Sequence, residues 1–382
     1  MLVIGAGPAG LAAALAAARR GSSVTVLEAL EVGHALRRWG PTRLFTPLAM
    51  NLPPAFPAEL LGGLPPADAL LTGPELVERV LVPLSQSAPL AGRVLERHRV
   101  VAVGRAGLTK EDFPGHPLRG ERPFRLLADT PEGEKSFEAD VVLDASGVAG
   151  QPNFVGPGGL PARGERSAGA RIVRSLGALE EEMESGSARR FLLVGHGHSA
   201  ANAILHLDAL ARRRGDVSVT WAVRSRNRRP CGEVAGDPLP ERQRVACAAN
   251  DLAESPPSHL KVERLASVEC LEAAGEGVRV TLSGGRAGEY DRVCAFTGYR
   301  PDLSFLDELQ LEISPVTGGP ARLARVFANI TDCLSVPRIA PADLASGEPG
   351  FSIVGSKSYG RSRTFLLAAG YAQTATILDS VS

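Results

Sequence analysis

Leu2-Val3-Ile4-Gly5-Ala6-Gly7-Pro8-Ala9-Gly10 opens the chain, and an Ala/Leu-rich stretch follows over residues 11–20. Three apolar residues running into G-x-G-x-x-G, then strong helix formers, predict a buried strand, a tight turn and a helix. After Gly21, Val24-Thr25-Val26-Leu27 reads as a second buried parallel strand, closed by Glu28. The result is one βαβ unit.

In such a unit the first glycine permits the sharp turn, the second lets the backbone approach a pyrophosphate, and the third lets helix pack on strand. Gly5, Gly7 and Gly10 fit those roles. Pro8 pre-sets φ for the first helical turn, and Ala9 completes a loop whose N–H groups face an anion. Glu28 stands eighteen residues past Gly10, at the strand end where a carboxylate accepts hydrogen bonds from ribose hydroxyls. The alternative is an ordinary glycine turn in an α/β protein.

A second strand-turn-helix repeats the pattern: residues 191–194 precede Gly195-His196-Gly197-His198-Ser199-Ala200, and an apolar helix is expected over 201–210. Ala200 takes the third glycine's place, which a small residue can fill. The next strand, 217–223, ends on Arg224-Ser225-Arg226 rather than on an acid. Arg224 and Arg226 suit a 2′-phosphate, so the site favours NADPH over NADH, against the alternative of a solvated basic loop. His196 and His198 flank Gly197 without further metal-ligating neighbours and read as positional, so no metal is expected.

The rest of the chain supplies weaker signals. Residues 33–73 are rich in Pro and Gly without a period and read as an ordered loop region. A helix is expected over 74–82, and a strand over 99–103. Residues 124–128 and 137–143 read as a small antiparallel layer leading into Asp144-Ala145-Ser146-Gly147. Strands are expected at 262–271, 278–282 and 351–355, and a closing helix over 364–378.

The 382 residues suit two nucleotide-sized units. The 42 basic and 42 acidic residues cancel, which argues against a nucleic-acid or membrane partner and for a small-molecule substrate. A cytoplasmic location is expected, and a homodimer stays open. The five cysteines, Cys231, Cys247, Cys270, Cys294 and Cys333, include no C-x-x-C pair and suggest no disulfide framework.

Two glycine loops, with Asp144-Ala145-Ser146-Gly147 after the first and Phe296-Thr297-Gly298-Tyr299-Arg300-Pro301-Asp302 after the second, resemble the flavin-containing monooxygenase and thioredoxin-reductase-like flavoproteins. The resemblance implies an α/β fold of two Rossmann-like dinucleotide-binding domains, each a parallel sheet with helices and a small antiparallel layer. It implies an FAD domain from residues 1–153 and 291–382, with an NAD(P)H domain inserted at 154–290. FAD would lie on the first loop, on Ala145, Ser146 and Gly147, on Val101, and on Gly355, Ser356, Lys357 and Tyr359. Arg38 to Pro47, with Trp39, Phe45 and Thr46, looks like the monooxygenase loop under the isoalloxazine. NADPH would lie on Gly195, Gly197, His198, Ser199, Ala200, Arg224 and Arg226. The chain departs from the thioredoxin reductases in lacking their C-x-x-C and in carrying Gly355-Ser356 where they have Gly-Asp.

The implied activity is an FAD- and NADPH-dependent oxidoreductase of monooxygenase type, acting on a soft nitrogen or sulphur centre. Asn51 is a candidate for a hydrogen bond near flavin N5, or simply a loop cap. Lys357, Tyr359 and Arg361 are candidates for the flavin edge or an anionic substrate, or else form a surface ion pair. Cys333 is a candidate redox thiol, or a small buried hydrophobe. The competing classes are a thiol/disulphide oxidoreductase using Cys333 or a substrate thiol, and a non-catalytic NADPH-sensing flavoprotein.

Overall fold

The computed structural model describes residues 1–330, 332–335 and 337–381. The chain forms two compact units, one from Met1–Arg37, Thr46–Gln151 and Tyr299–Ser382, the other from Arg38–Phe45 and Pro152–Gly298.

The first unit is built on a five-stranded parallel sheet, ordered Phe351–Ile353, Val142–Asp144, Leu2–Ile4, Thr25–Leu27, Val94–Leu95. Parallel pairing puts every carboxyl end at one edge, and the turn after Ile4, Glu28, Asp144 and Val354 all emerge there. The helix Pro8–Arg19 packs beside the closing helix Leu367–Val381. A second, antiparallel sheet joins Arg99–Arg105, Phe124–Thr130 and Gly133–Ala139, and its Val103, Phe124 and Leu126 share one core with Ile4, Leu27 and Val142.

The strand expected over 137–143 is two. Residues up to Ala139 pair antiparallel, whereas Val142–Asp144 enters the parallel sheet with all three residues buried, as a central strand must be. Three one-turn helices, His34–Arg37, Leu48–Asn51 and Ala58–Leu61, lie in the expected loop region and are too short to show a period. The antiparallel layer is tied to the chain's last third by a buried cluster. Arg105 Nε and Arg119 Nη2 lie 2.9 and 3.1 Å from the Glu348 carboxylate, which also accepts the Gln310 N–H.

The second unit repeats the plan, with a parallel sheet ordered Leu260–Arg264, Ser218–Val223, Arg190–Val194, Arg292–Ala295, Ile172–Val173. Its antiparallel partner sheet is Val268–Ala274, Gly277–Leu282 and Arg286–Tyr290. The single strand expected over 262–271 is divided between these sheets at Leu265, whose φ is 52°. Arg292–Ala295 pairs along Arg190–Val194, so this compact unit runs on to Gly298, past the boundary expected at 290/291. Two helices left no expectation in the sequence: Leu176–Ser185, capped by the Ser175 hydroxyl, and Pro240–Glu254. Among the described residues no helix is long and apolar enough to cross a membrane.

Candidate functional site

In the first unit the glycine turn is fixed by close approach. Gly5 has φ 100°, and a Cβ there would lie 2.8 Å from the Ala145 carbonyl oxygen. A Cβ on Gly10 would lie 1.9 Å from the oxygen of Gly5, so helix and strand touch only because residue 10 is glycine. Gly7 differs: a Cβ there would meet nothing within 4 Å. It is the N-cap of the helix, with no side-chain cap, so the first-turn N–H groups and the positive dipole end face that space. Glu28 accepts the Ala6 N–H at 2.7 Å and the Leu30 N–H at 2.9 Å. Those bonds hold its carboxylate at the strand end and leave lone pairs for ribose hydroxyls. The cradle fits the pyrophosphate and ribose of FAD.

The expectation of a surface ion pair at Lys357 is corrected. Its Nζ donates to Asp144 Oδ2 at 2.6 Å and to Ser146 Oγ at 3.1 Å, with neither Lys357 nor Asp144 exposed. Ser146 in turn donates to Asp144 Oδ1 at 2.6 Å. The ammonium therefore binds the Asp144-Ala145-Ser146-Gly147 loop to the turn Gly355–Tyr359, and is not free for an anionic substrate. Tyr359 is buried and stacks on Phe327 with centroids 4.1 Å apart, and burial pushes its phenol up to about 12. Among the described residues its hydroxyl has no hydrogen-bond partner, so the turn carries a neutral donor in want of an acceptor.

Gln373 was missed in the sequence. Its side-chain oxygen accepts the Gly355 N–H at 2.9 Å and its amide donates to Ser358 Oγ, also at 2.9 Å. The available signal was one amide following the apolar first turns of the closing helix. Asn51 is buried and bound locally: the Thr46 hydroxyl donates to its side-chain oxygen, its amide donates to the Thr46 carbonyl, and the Tyr371 hydroxyl donates to its own carbonyl. Val101 lies at the bulge between Val100 and Ala102. Cys333 is half-buried, with its thiol 3.7 Å from Asp332 Oδ1. A cavity of about 300 Å³, lined by Val141, Leu344, Pro349 and Phe351, lies at the amino ends of the parallel strands, opposite the glycine turn, and is not part of this site.

The second unit has its own turn. Gly195 has φ 124°, and a Cβ there would lie 2.3 Å from the Phe296 carbonyl oxygen. The buried Trp221 indole donates to the Gly195 carbonyl at 2.7 Å and fixes the turn from below. Gly197 opens onto free space as the uncapped N-cap of His198–Arg214, and Ala200 is buried where a third glycine would pack. His198 and Ser199 are exposed in the first turn. The Arg38–Phe45 loop, expected near the flavin ring, groups with this unit, and Phe45 stands edge-on to His198 with centroids 5.1 Å apart. Trp39 in that loop is exposed.

Arg224 and Arg226 are exposed, and no described residue pairs with either. Arg229, a few residues on, is engaged by Glu233, Asp251 and Glu254. The uncapped helix end and two uncommitted guanidiniums fit the pyrophosphate and 2′-phosphate of NADPH. Among the described residues no cluster of three or more His, Cys, Asp or Glu could hold a metal.

The family description "Pyridine nucleotide-disulphide oxidoreductase" matches residues 1–319. No curated protein sequence matches the chain. Among solved structures, the bacillithiol disulfide reductase of Bacillus cereus superposes with TM-score 0.71 at 18% identity, covering 100% of this chain and 97% of that one. The ornithine N-hydroxylase of Kutzneria sp. 744 superposes with TM-score 0.65 at 16% identity, covering 100% and 98%. The L-lysine 6-monooxygenase of Pseudomonas syringae does so with TM-score 0.65 at 17% identity, covering 100% and 99%. These likenesses establish the fold of two dinucleotide-binding domains. The family match removes the non-catalytic sensor from consideration: the chain belongs to the pyridine nucleotide-disulphide oxidoreductase family and is an oxidoreductase whose cofactors are FAD and NADPH.

Proposed function

We propose that this enzyme is an NADPH-dependent flavin monooxygenase acting on a soft nitrogen or sulphur centre of a small molecule. The observation that carries the reading is where the thiols lie. Cys231, Cys270 and Cys294 are buried in the second unit, burial pushing the Cys231 thiol up to about 12, and none of the cysteines belongs to a glycine turn. A flavin bound at these turns would have no protein dithiol beside it to take its electrons, and oxygen is an acceptor that needs none. The N-hydroxylase and lysine monooxygenase folds support the same direction.

In this reading the first unit, from residues 1–37, 46–151 and 299–382, is the FAD domain, and residues 152–298 form the NADPH domain. FAD held there would supply the redox chemistry, as acceptor of the NADPH hydride and donor of electrons to oxygen. Gly5, Gly7, Pro8, Ala9 and Gly10 hold its pyrophosphate, and Glu28 its ribose. Lys357, through Asp144 and Ser146, and Gln373, through Gly355, fix the two loops that border the same strand edge. Asn51 shapes the Thr46 loop by the bonds it already makes. Gly195, Gly197 and Ala200 seat the nicotinamide nucleotide, and Arg224 and Arg226 take its 2′-phosphate.

The test supplies NADPH, labelled dioxygen and a panel of primary amines and thioethers. Monooxygenation puts one labelled atom into the product and the other into water for each NADPH consumed. If NADPH is consumed with release of hydrogen peroxide for every substrate, the proposal fails. A second reading, reduction of a low-molecular-weight disulphide, is favoured by the half-buried thiol of Cys333 and by the fold of the Bacillus reductase. Anaerobic NADPH oxidation driven by a disulphide, and lost in Cys333→Ser, would put it first.

A further inference from the structure

We infer that Leu265 is the platform on which the adenine ring of NADPH lies, an inference that rests on the NADPH reading of the second unit. The strand register brings the pieces together. Val194 stands opposite Ala222, and Val223 opposite Arg264, so the Gly195 turn, Arg224 and Leu265 leave three neighbouring parallel strands at one edge. With strands about 4.8 Å apart, Leu265 emerges roughly 10 Å across from the glycine turn, with Arg224 between them. The Leu265 N–H donates to the Ser225 carbonyl at 3.5 Å, inside the basic loop itself. Arg264 holds that loop still, its guanidinium donating to the carbonyls of Asn227, Arg228 and Ala253.

Leu265 carries two unfavourable features at once. Its φ of 52° belongs to the left-handed region that glycine adopts freely, and 66% of its surface is open to solvent. The bend itself needs only a glycine. A leucine there makes sense as an apolar face for a flat ring, and the ring that a phosphate between Gly197 and Arg224 delivers to that face is a purine. The 2′-phosphate then goes to Arg224 and Arg226, and the base covers the exposed isobutyl group.

The holoprotein, with FAD bound, is titrated by calorimetry with 2′,5′-ADP and with 5′-AMP. Leu265→Gly weakens both ligands by the same factor, roughly tenfold, because each presents the same adenine. Its Tm rises, since glycine relieves the bend. Leu265→Met restores binding of both, whereas Arg224→Ala with Arg226→Ala weakens only 2′,5′-ADP. If Leu265→Gly binds both ligands as the parent does, or binds weakly while also melting lower, Leu265 is a structural residue and the platform is overturned. If the parent protein binds neither ligand, the NADPH reading itself fails, and the platform falls with it.

Discussion

The Nζ of Lys357 lies 2.6 Å from Oδ2 of Asp144, and neither side chain is reached by solvent. Two charges taken out of water are tolerable here because each has further partners: Ser146 bonds both, and the Phe305 ring lies 4.3 Å below the ammonium.

Lys357→Met leaves the Asp144 carboxylate buried without its cation and costs about 3–5 kcal/mol of stability. Lys357→Met combined with Asp144→Leu recovers most of that loss, since no uncompensated charge remains. Urea unfolding of the flavin-bound protein measures both. A single variant as stable as the parent would show that the pair contributes little.

Arg224→Ala with Arg226→Ala raises the KM for NADPH by roughly ten- to a hundredfold, the worth of lost charge-assisted hydrogen bonds, and leaves NADH unchanged. Raising the ionic strength shrinks the difference, because both guanidiniums are exposed. Steady-state reduction with either nucleotide reports the ratio. Arg229→Ala, which breaks bonds to Glu233, Asp251 and Glu254, shifts thermal stability and not that ratio.

Gly10→Ala and Gly195→Ala separate the two cofactors. The first places a methyl against the Gly5 oxygen and yields protein without flavin. The second places one against the Phe296 oxygen at a φ of 124°, so the protein keeps its yellow colour but is not reduced by NADPH. Visible absorbance before and after NADPH decides each case, and flavin retained by Gly10→Ala would contradict the first.

Stability falls as the pH rises from about 10 towards 12. The Tyr359 phenol is raised from 10.0 to about 12, so the unfolded chain loses that proton first and deprotonation favours unfolding. The loss amounts to about 2–3 kcal/mol across the window, and none of it is felt below pH 10. Tyr371, also raised by burial, adds in the same direction. Chemical denaturation between pH 8 and 12 shows the slope, and Tyr359→Phe flattens it. The same variant stabilises flavin-free protein, because it removes a buried hydroxyl without a partner.

Both glycine turns were legible because their signal is local: turn, helix former and strand-end residue stand within about thirty positions. What escaped the sequence was long-range or untyped. Lys357 finds Asp144 across 213 residues, so its burial left no pattern at either end. Gln373 and Ser358 are polar residues whose value comes from meeting each other and the Gly355 backbone. Leu265 ends a strand by conformation, and leucine is no breaker by type, so residues 262–271 read as one continuous strand. The Arg38–Phe45 loop stood out by its resemblance to the monooxygenase loop under the isoalloxazine, but its packing with the second unit depends on contacts such as Phe45 with His198 that spacing does not encode.

The place of the Phe351–Ile353 strand sets an order of events during synthesis. It is an edge of the first sheet and pairs with Val142–Asp144, and Lys357 follows it to reach Asp144 across those 213 residues. At a ribosomal rate of about 5–20 residues per second, the opening βαβ segment waits roughly 15–65 s for its last strand. Residues 152–298 are translated before that strand, so the sheet they carry can close while the first unit's sheet still waits for its edge.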